Sequence, residues 1–101
     1  MKSLIVPLVV AMVLAISPAA DAAGLMTCES GDRAKWQSPE KLTEKVKSEG
    51  WQVRRVKEDG GCYELHGTIP EGDRVEAYFH PVTLEKLLVA RRGQILFKKP
   101  E

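Results

Sequence analysis

The spacing of apolar side chains changes character at Gly50. Before it, Leu42 and Val46 stand four apart among Lys41, Glu44, Lys45 and Lys47, the spacing of one face of a helix. The start of that helix is marked by Ser38 as N-cap, Pro39 at the first helical position and Glu40 in the first turn. Gly50 supplies the usual stop. The apolar stripe is thin, so the helix must be held by packing against another layer. Beyond Gly50 the period shortens to two. Trp51-Gln52-Val53 opens an alternation that Val56 leaves by one step, which predicts a bulge or a strand buried on both faces. Asp59-Gly60-Gly61 signals a turn, and Cys62 to Ile69 reads as a second strand. Pro70-Glu71-Gly72-Asp73 is the next turn, and Arg74 to His80 a third strand.

The two central strands predict their own register. Tyr63, Leu65 and Ile69 share one face, as do Val75, Ala77 and Phe79. Directly opposed residues share a face. The apolar sets therefore meet if Leu65 opposes Phe79, Gly67 opposes Ala77 and Ile69 opposes Val75, with three or five residues in the loop. The other face then carries Cys62, Glu64, His66 and Thr68 beside Arg74, Glu76, Tyr78 and His80. In this register Glu64 opposes His80, and His66 opposes Tyr78. Residues 81–93 fit two patterns. Leu84, Leu87, Leu88 and Arg91 follow a helical period, while Leu87-Leu88-Val89 suits a buried strand equally well. Gly93 ends this element, and residues 94–101 form a tail or a short edge strand.

The fold class is thus α+β: one helix packed on a small antiparallel sheet of three to four strands. Residues 23–37 have no regular period and read as an irregular lead-in; the domain proper spans 38–93.

Residues 1–22 read as a cleavable export signal. Lys2 supplies the positive start, Leu4 to Ile16 an apolar run, and Ala20-Asp21-Ala22 a small-x-small cleavage pattern. The run is about 13 residues, short of the roughly 20 that a spanning helix needs. Cys28 does not suit a lipoprotein site, because Met26-Thr27 precede it where small residues are wanted. The expected localisation is periplasmic or secreted, with no membrane attachment after the signal is removed.

In an oxidising compartment, a lone pair of cysteines most often forms one bridge. Cys28 and Cys62 are therefore expected to form a structural disulfide that pins the lead-in to the second strand. A catalytic dithiol lacks its CxxC spacing, and two cysteines alone under-coordinate zinc. So small a domain needs such a staple.

The net charge of +1 comes from interspersed acids and bases. Arg54-Arg55 and Arg91-Arg92 are the nearest approach to a basic cluster, so nucleic acid is not an expected partner. No arrangement of serine, histidine and acid, or of cysteine and histidine, suggests catalysis, and no cofactor is expected. On the polar face His66 and His80, with Glu64 and Glu76, are donors that suit zinc or copper. Ion pairing on a solvated face is the simpler reading. The same residues, Glu64, His66, Glu76, Tyr78 and His80, form the candidate partner-binding face, with Tyr78 and Trp36 as aromatic anchors. Sheet edges offer a second route to a partner, by strand addition. The simpler reading of Trp36 and Trp51 is that both cap the small core.

Four blocks carry a resemblance: Trp36-Gln37-Ser38-Pro39-Glu40, Glu49-Gly50-Trp51-Gln52-Val53, Gly61-Cys62-Tyr63-Glu64-Leu65, and Val75 through Thr83 with its His80-Pro81-Val82-Thr83 corner. In order and spacing they resemble the PepSY-like domain of small secreted bacterial proteins. The resemblance implies one helix on an antiparallel sheet, with the Pro-x-Thr turn leading into a closing strand, which favours strand over helix at residues 86–91. The chain departs from the pattern twice: His80 stands where Asp is common, and Leu84 where Gly often follows the Thr. Related domains occur in propeptides of thermolysin-like secreted metallopeptidases and beside membrane redox or transport proteins. The implied function is a non-enzymatic exported binding module that restrains a peptidase. The alternative is an accessory or sensory protein of a periplasmic redox or metal-handling system.

Overall fold

The protein is described over residues 24–101 from a computed structural model; the export signal read at residues 1–22 lies outside the described residues. The helix forms where its caps place it. In α1 (Pro39–Ser48), the Ser38 hydroxyl accepts the Lys41 N–H at 3.1 Å, while Leu42 and Val46 are the two buried side chains. Past its end, the Gly50 N–H reaches the Lys47 carbonyl and the Trp51 N–H reaches Val46, both at 3.0 Å. These two bonds satisfy carbonyls that the helix leaves open. They also aim Trp51 into the core, edge-on to Phe79.

Five strands follow: β1 (Gln52–Asp59), β2 (Cys62–Thr68), β3 (Arg74–Phe79), β4 (Lys86–Arg91) and β5 (Gln94–Lys98). They form one antiparallel meander in sequence order. The sheet has five strands where three to four were expected. Residues 86–91 are strand rather than helix, and the short apolar stretch after Gly93 is a full edge strand. Of the two readings of Val56, a bulge or a strand buried on both faces, the bulge is present, with the register shifting between Val53 and Arg55.

The β2–β3 register differs from expectation by two residues. Tyr63 opposes Phe79, Leu65 opposes Ala77 and Gly67 opposes Val75. A slip of two preserves the faces, so the apolar sets still meet. The turn made the choice. Gly72 takes φ 104°, its N–H bonds to the Ile69 carbonyl at 2.8 Å, and the Ile69 N–H bonds to Asp73 at 3.0 Å. Closure therefore falls at Ile69–Asp73 around three residues, with glycine in the left-handed position that such a turn requires.

The corner after β3 shows how the two departures from the family pattern are absorbed. His80 Nδ1 accepts the Val82 N–H at 3.1 Å, the role that an Asp side chain plays in a turn. Leu84 adopts φ 63°, where glycine is easier, and its side chain is buried in the core.

Two apolar layers sandwich the sheet. The inner one gathers Leu42, Val46 and Trp51 against Tyr63, Leu65, Ala77, Phe79 and Val89. The outer one, smaller, joins Cys62, Tyr78, Leu88 and Ala90 to Met26 and Cys28 of the lead-in.

Candidate functional site

The outer face carries the expected partner-binding residues, and the lead-in covers much of it, as a bridge from Cys28 to Cys62 on that face implies. Cys28 is disulfide-bonded to Cys62, and its N–H bonds to the Gly60 carbonyl at 2.8 Å. The chain passes so close that a Cβ on Gly60 would lie 2.7 Å from the Met26 carbonyl, and one on Gly61 would lie 2.6 Å from that of Cys28. The glycines of this turn thus serve both the hairpin and the docking of residues 26–28.

Tyr78 lies beneath the lead-in and is 1% exposed. It is no surface anchor. Its hydroxyl donates to Asp59 Oδ2 at 3.0 Å and accepts the Leu25 N–H at 3.2 Å. Burial pushes the phenol up to about 12; Glu64 and Asp59 reinforce the shift, and the Leu25 N–H opposes it. Trp36 is half-buried against the core, edge-on to Tyr63 and stacked under the Arg33 guanidinium. Trp51 is buried, so both tryptophans close the core.

The two-residue slip rearranges the histidines. Glu64 opposes Tyr78 rather than His80, and His66 opposes Glu76 rather than Tyr78. His80 stands at the far end of β3, with Nε2 at 3.3 Å from the Glu29 carbonyl and Nδ1 committed to the corner. It takes no part with His66. A different set comes together: donor atoms of Glu64, His66 and Glu76 lie within 4.8 Å of one another. The Glu64 side chain is 6% exposed, with His66 Nε2 at 3.0 Å and Lys57 Nζ at 3.6 Å. His66 Nε2 is buried and has no aligned hydrogen bond in spite of that approach. Two of the residues come from β2, two positions apart and so on one face; the third is supplied by β3 directly across.

A second surface figures in the sequence only as one of the sheet edges open to strand addition, with no residue named. Ile95, Leu96 and Phe97 of β5 are 47%, 41% and 37% exposed. With Trp51, Ile69 and Val89, the side chains of Leu96 and Phe97 line a groove of about 390 Å³ on the helix side of the sheet, rimmed by Glu49, Glu71 and Lys86. The signal was the apolar run at Gln94–Phe97; its exposure depends on α1 lying over β1 and leaving the far edge uncovered.

A family model described as the peptidase propeptide and YPEB domain, PepSY_2, matches residues 7–88. The chain belongs to the PepSY family. No curated protein and no solved structure matches it. PepSY domains are in general non-catalytic propeptide or regulatory modules. The PepSY match ends within β4, so the exposed strand β5 lies beyond it.

Proposed function

We propose that this PepSY protein is a non-enzymatic, exported binding module that restrains a secreted or periplasmic peptidase. The observation that carries the reading is the apolar edge strand β5 on a domain of a peptidase-propeptide family. An edge strand presents unpaired N–H and C=O groups, and an extended segment of a partner can add to it. The groove beside β5 supplies apolar pockets for alternate side chains of that segment. By contrast, the other edge is poor for such pairing: β1 is bulged near Arg54 and carries Arg55, Lys57, Glu58 and Asp59. The partner surface moves accordingly, from the outer face around Tyr78 to the β5 edge. The near-balanced, interspersed charge favours a protein partner over nucleic acid.

The test is a titration of the disulfide-bonded protein into a thermolysin-like metallopeptidase, following substrate cleavage. Inhibition should saturate near one equivalent and weaken at least tenfold on Leu96→Asp, a change at an exposed position that leaves the fold intact. Undiminished turnover at a large molar excess would remove the reading. Export is checked separately, by the N-terminal mass of the protein recovered outside the cytoplasm, expected to begin after Ala22.

A further inference from the structure

We infer that Glu64, His66 and Glu76 form a site for a divalent transition cation, with zinc the best fit, on the outer face of the central hairpin. Two observations combine. The donor atoms already lie within 4.8 Å of one another. In a tetrahedral zinc site, bonds of roughly 2.0–2.1 Å put donors about 3.4 Å apart, so small side-chain rotations close the set. His66 Nε2 is buried without a hydrogen bond, although a carboxylate oxygen lies 3.0 Å away. A buried polar atom whose neighbour is not aligned for a hydrogen bond is poorly satisfied, and a metal ion held between the imidazole and the carboxylate would serve both.

The charge also fits. Two carboxylates and a neutral imidazole present two negative charges in a partly dehydrated place, and the side chain of Glu64 is 6% exposed. The compensating cation is Lys57, whose ammonium is 3.6 Å from Glu64 Oε1 but whose side chain is 48% exposed. Such a half-solvated pair contributes little and is readily displaced. Arg55, opposite His66 on β1, is exposed and free to turn into solvent.

One nitrogen and two oxygen donors leave a coordination position for water, the composition of an open zinc site rather than a closed structural one. The cysteines are not competitors, since Cys28 and Cys62 are bonded to each other. The donors sit on adjacent rigid strands, so the site needs no folding step on binding. It lies on the opposite side of the sheet from the groove beside β5, and the inference does not depend on a peptidase partner.

The experiment is a titration of zinc chloride into the tag-free, disulfide-bonded protein, reading the histidine ring resonances by NMR. The expected result is a shift of the His66 ring that completes at one equivalent, with His80 unmoved. Glu76→Gln should weaken binding by at least about tenfold, since loss of even an outer-shell partner costs that much in metal sites. Glu76 is only partly buried, so this variant keeps the fold; His66→Asn should abolish the saturable response. An unchanged His66 ring at two equivalents would overturn the inference. So would a shift centred on His80, or a Glu76→Gln protein that binds zinc as tightly as the parent.

Discussion

The Tyr78 hydroxyl donates to the Asp59 carboxylate at 3.0 Å, joining the C-terminal end of β3 to the end of β1 across the intervening strand. The same oxygen receives the Leu25 N–H, so one side chain ties two strands to the lead-in. The phenol is held up to about 12 against 10 when unfolded, chiefly by burial. Between these values the folded state keeps a proton that the unfolded chain has lost. Stability from this group is therefore complete below pH 10 and drains away as the pH rises towards 12. Urea unfolding at a series of pH values should show that decline, and Tyr78→Phe should remove its part of it. At neutral pH the same substitution should cost about 2–3 kcal/mol, because it removes one bond to a carboxylate and one from a backbone N–H.

The Cys28–Cys62 bond spans 34 residues of sequence and should contribute about 4 kcal/mol by chain entropy. Reductant should lower the melting temperature substantially. Amide exchange at Leu25 and Cys28 should speed up before exchange in β2 and β3 does, because the lead-in is the part released. A melting curve indifferent to reductant would contradict the role given to the bond.

Gly67 has no room for a side chain. A Cβ there would lie 2.1 Å from the Gln52 carbonyl and 3.1 Å from Leu65 Cδ2. Backbone cannot yield as a long side chain can, so Gly67→Ala should destabilise by about 3 kcal/mol or more, at the upper end of overpacking effects. Gly67 is not among the glycines at positive φ, so the loss read in denaturant melts is the steric cost alone.

The corner at residues 80–84 makes a paired prediction. His80→Asp should leave the melting temperature nearly unchanged, because a carboxylate can accept the Val82 N–H as Nδ1 does. Leu84→Gly relieves a positive φ, worth up to about 1 kcal/mol, but empties a core position that is 4% exposed, at a cost of about 2–5 kcal/mol. The net effect should be a loss of about 2 kcal/mol. Calorimetry that found the glycine variant more stable would show that strain outweighs packing at this corner.

Much of the fold was legible before any coordinates. Ser38, Pro39 and Gly50 marked the helix because capping is local chemistry. The alternation from Cys62 to Phe79 announced two strands with shared faces, and the phase break at Val56 left a bulge or a doubly buried strand, of which the bulge is found. The register was less legible. Apolar alternation has a period of two, so it cannot distinguish a pairing from one displaced by two residues. The closing bonds of the Ile69–Asp73 turn made that choice, and with it moved His80 away from His66 and brought Glu76 in. Residues 81–93 carried patterns for both helix and strand. The strand prevailed because β3 offered it a ladder, with Tyr78 against Leu88 and Ala77 against Val89.

By itself the chain determined the helix, the first three strands with their faces, and the partner of each cysteine, since these follow from caps, periods and the scarcity of cysteine. The tertiary structure decided which of those faces remain open. Tyr78 reads as polar and exposed in an alternating strand, yet Met26 and Cys28 lie over it because the disulfide holds the lead-in there. Ile95, Leu96 and Phe97 read as a tail or a short edge strand of no stated exposure, and they are the exposed apolar edge because one helix of ten residues cannot cover a sheet of five strands. Burial is a property of what lies above a side chain, and that neighbour is distant in sequence in both cases.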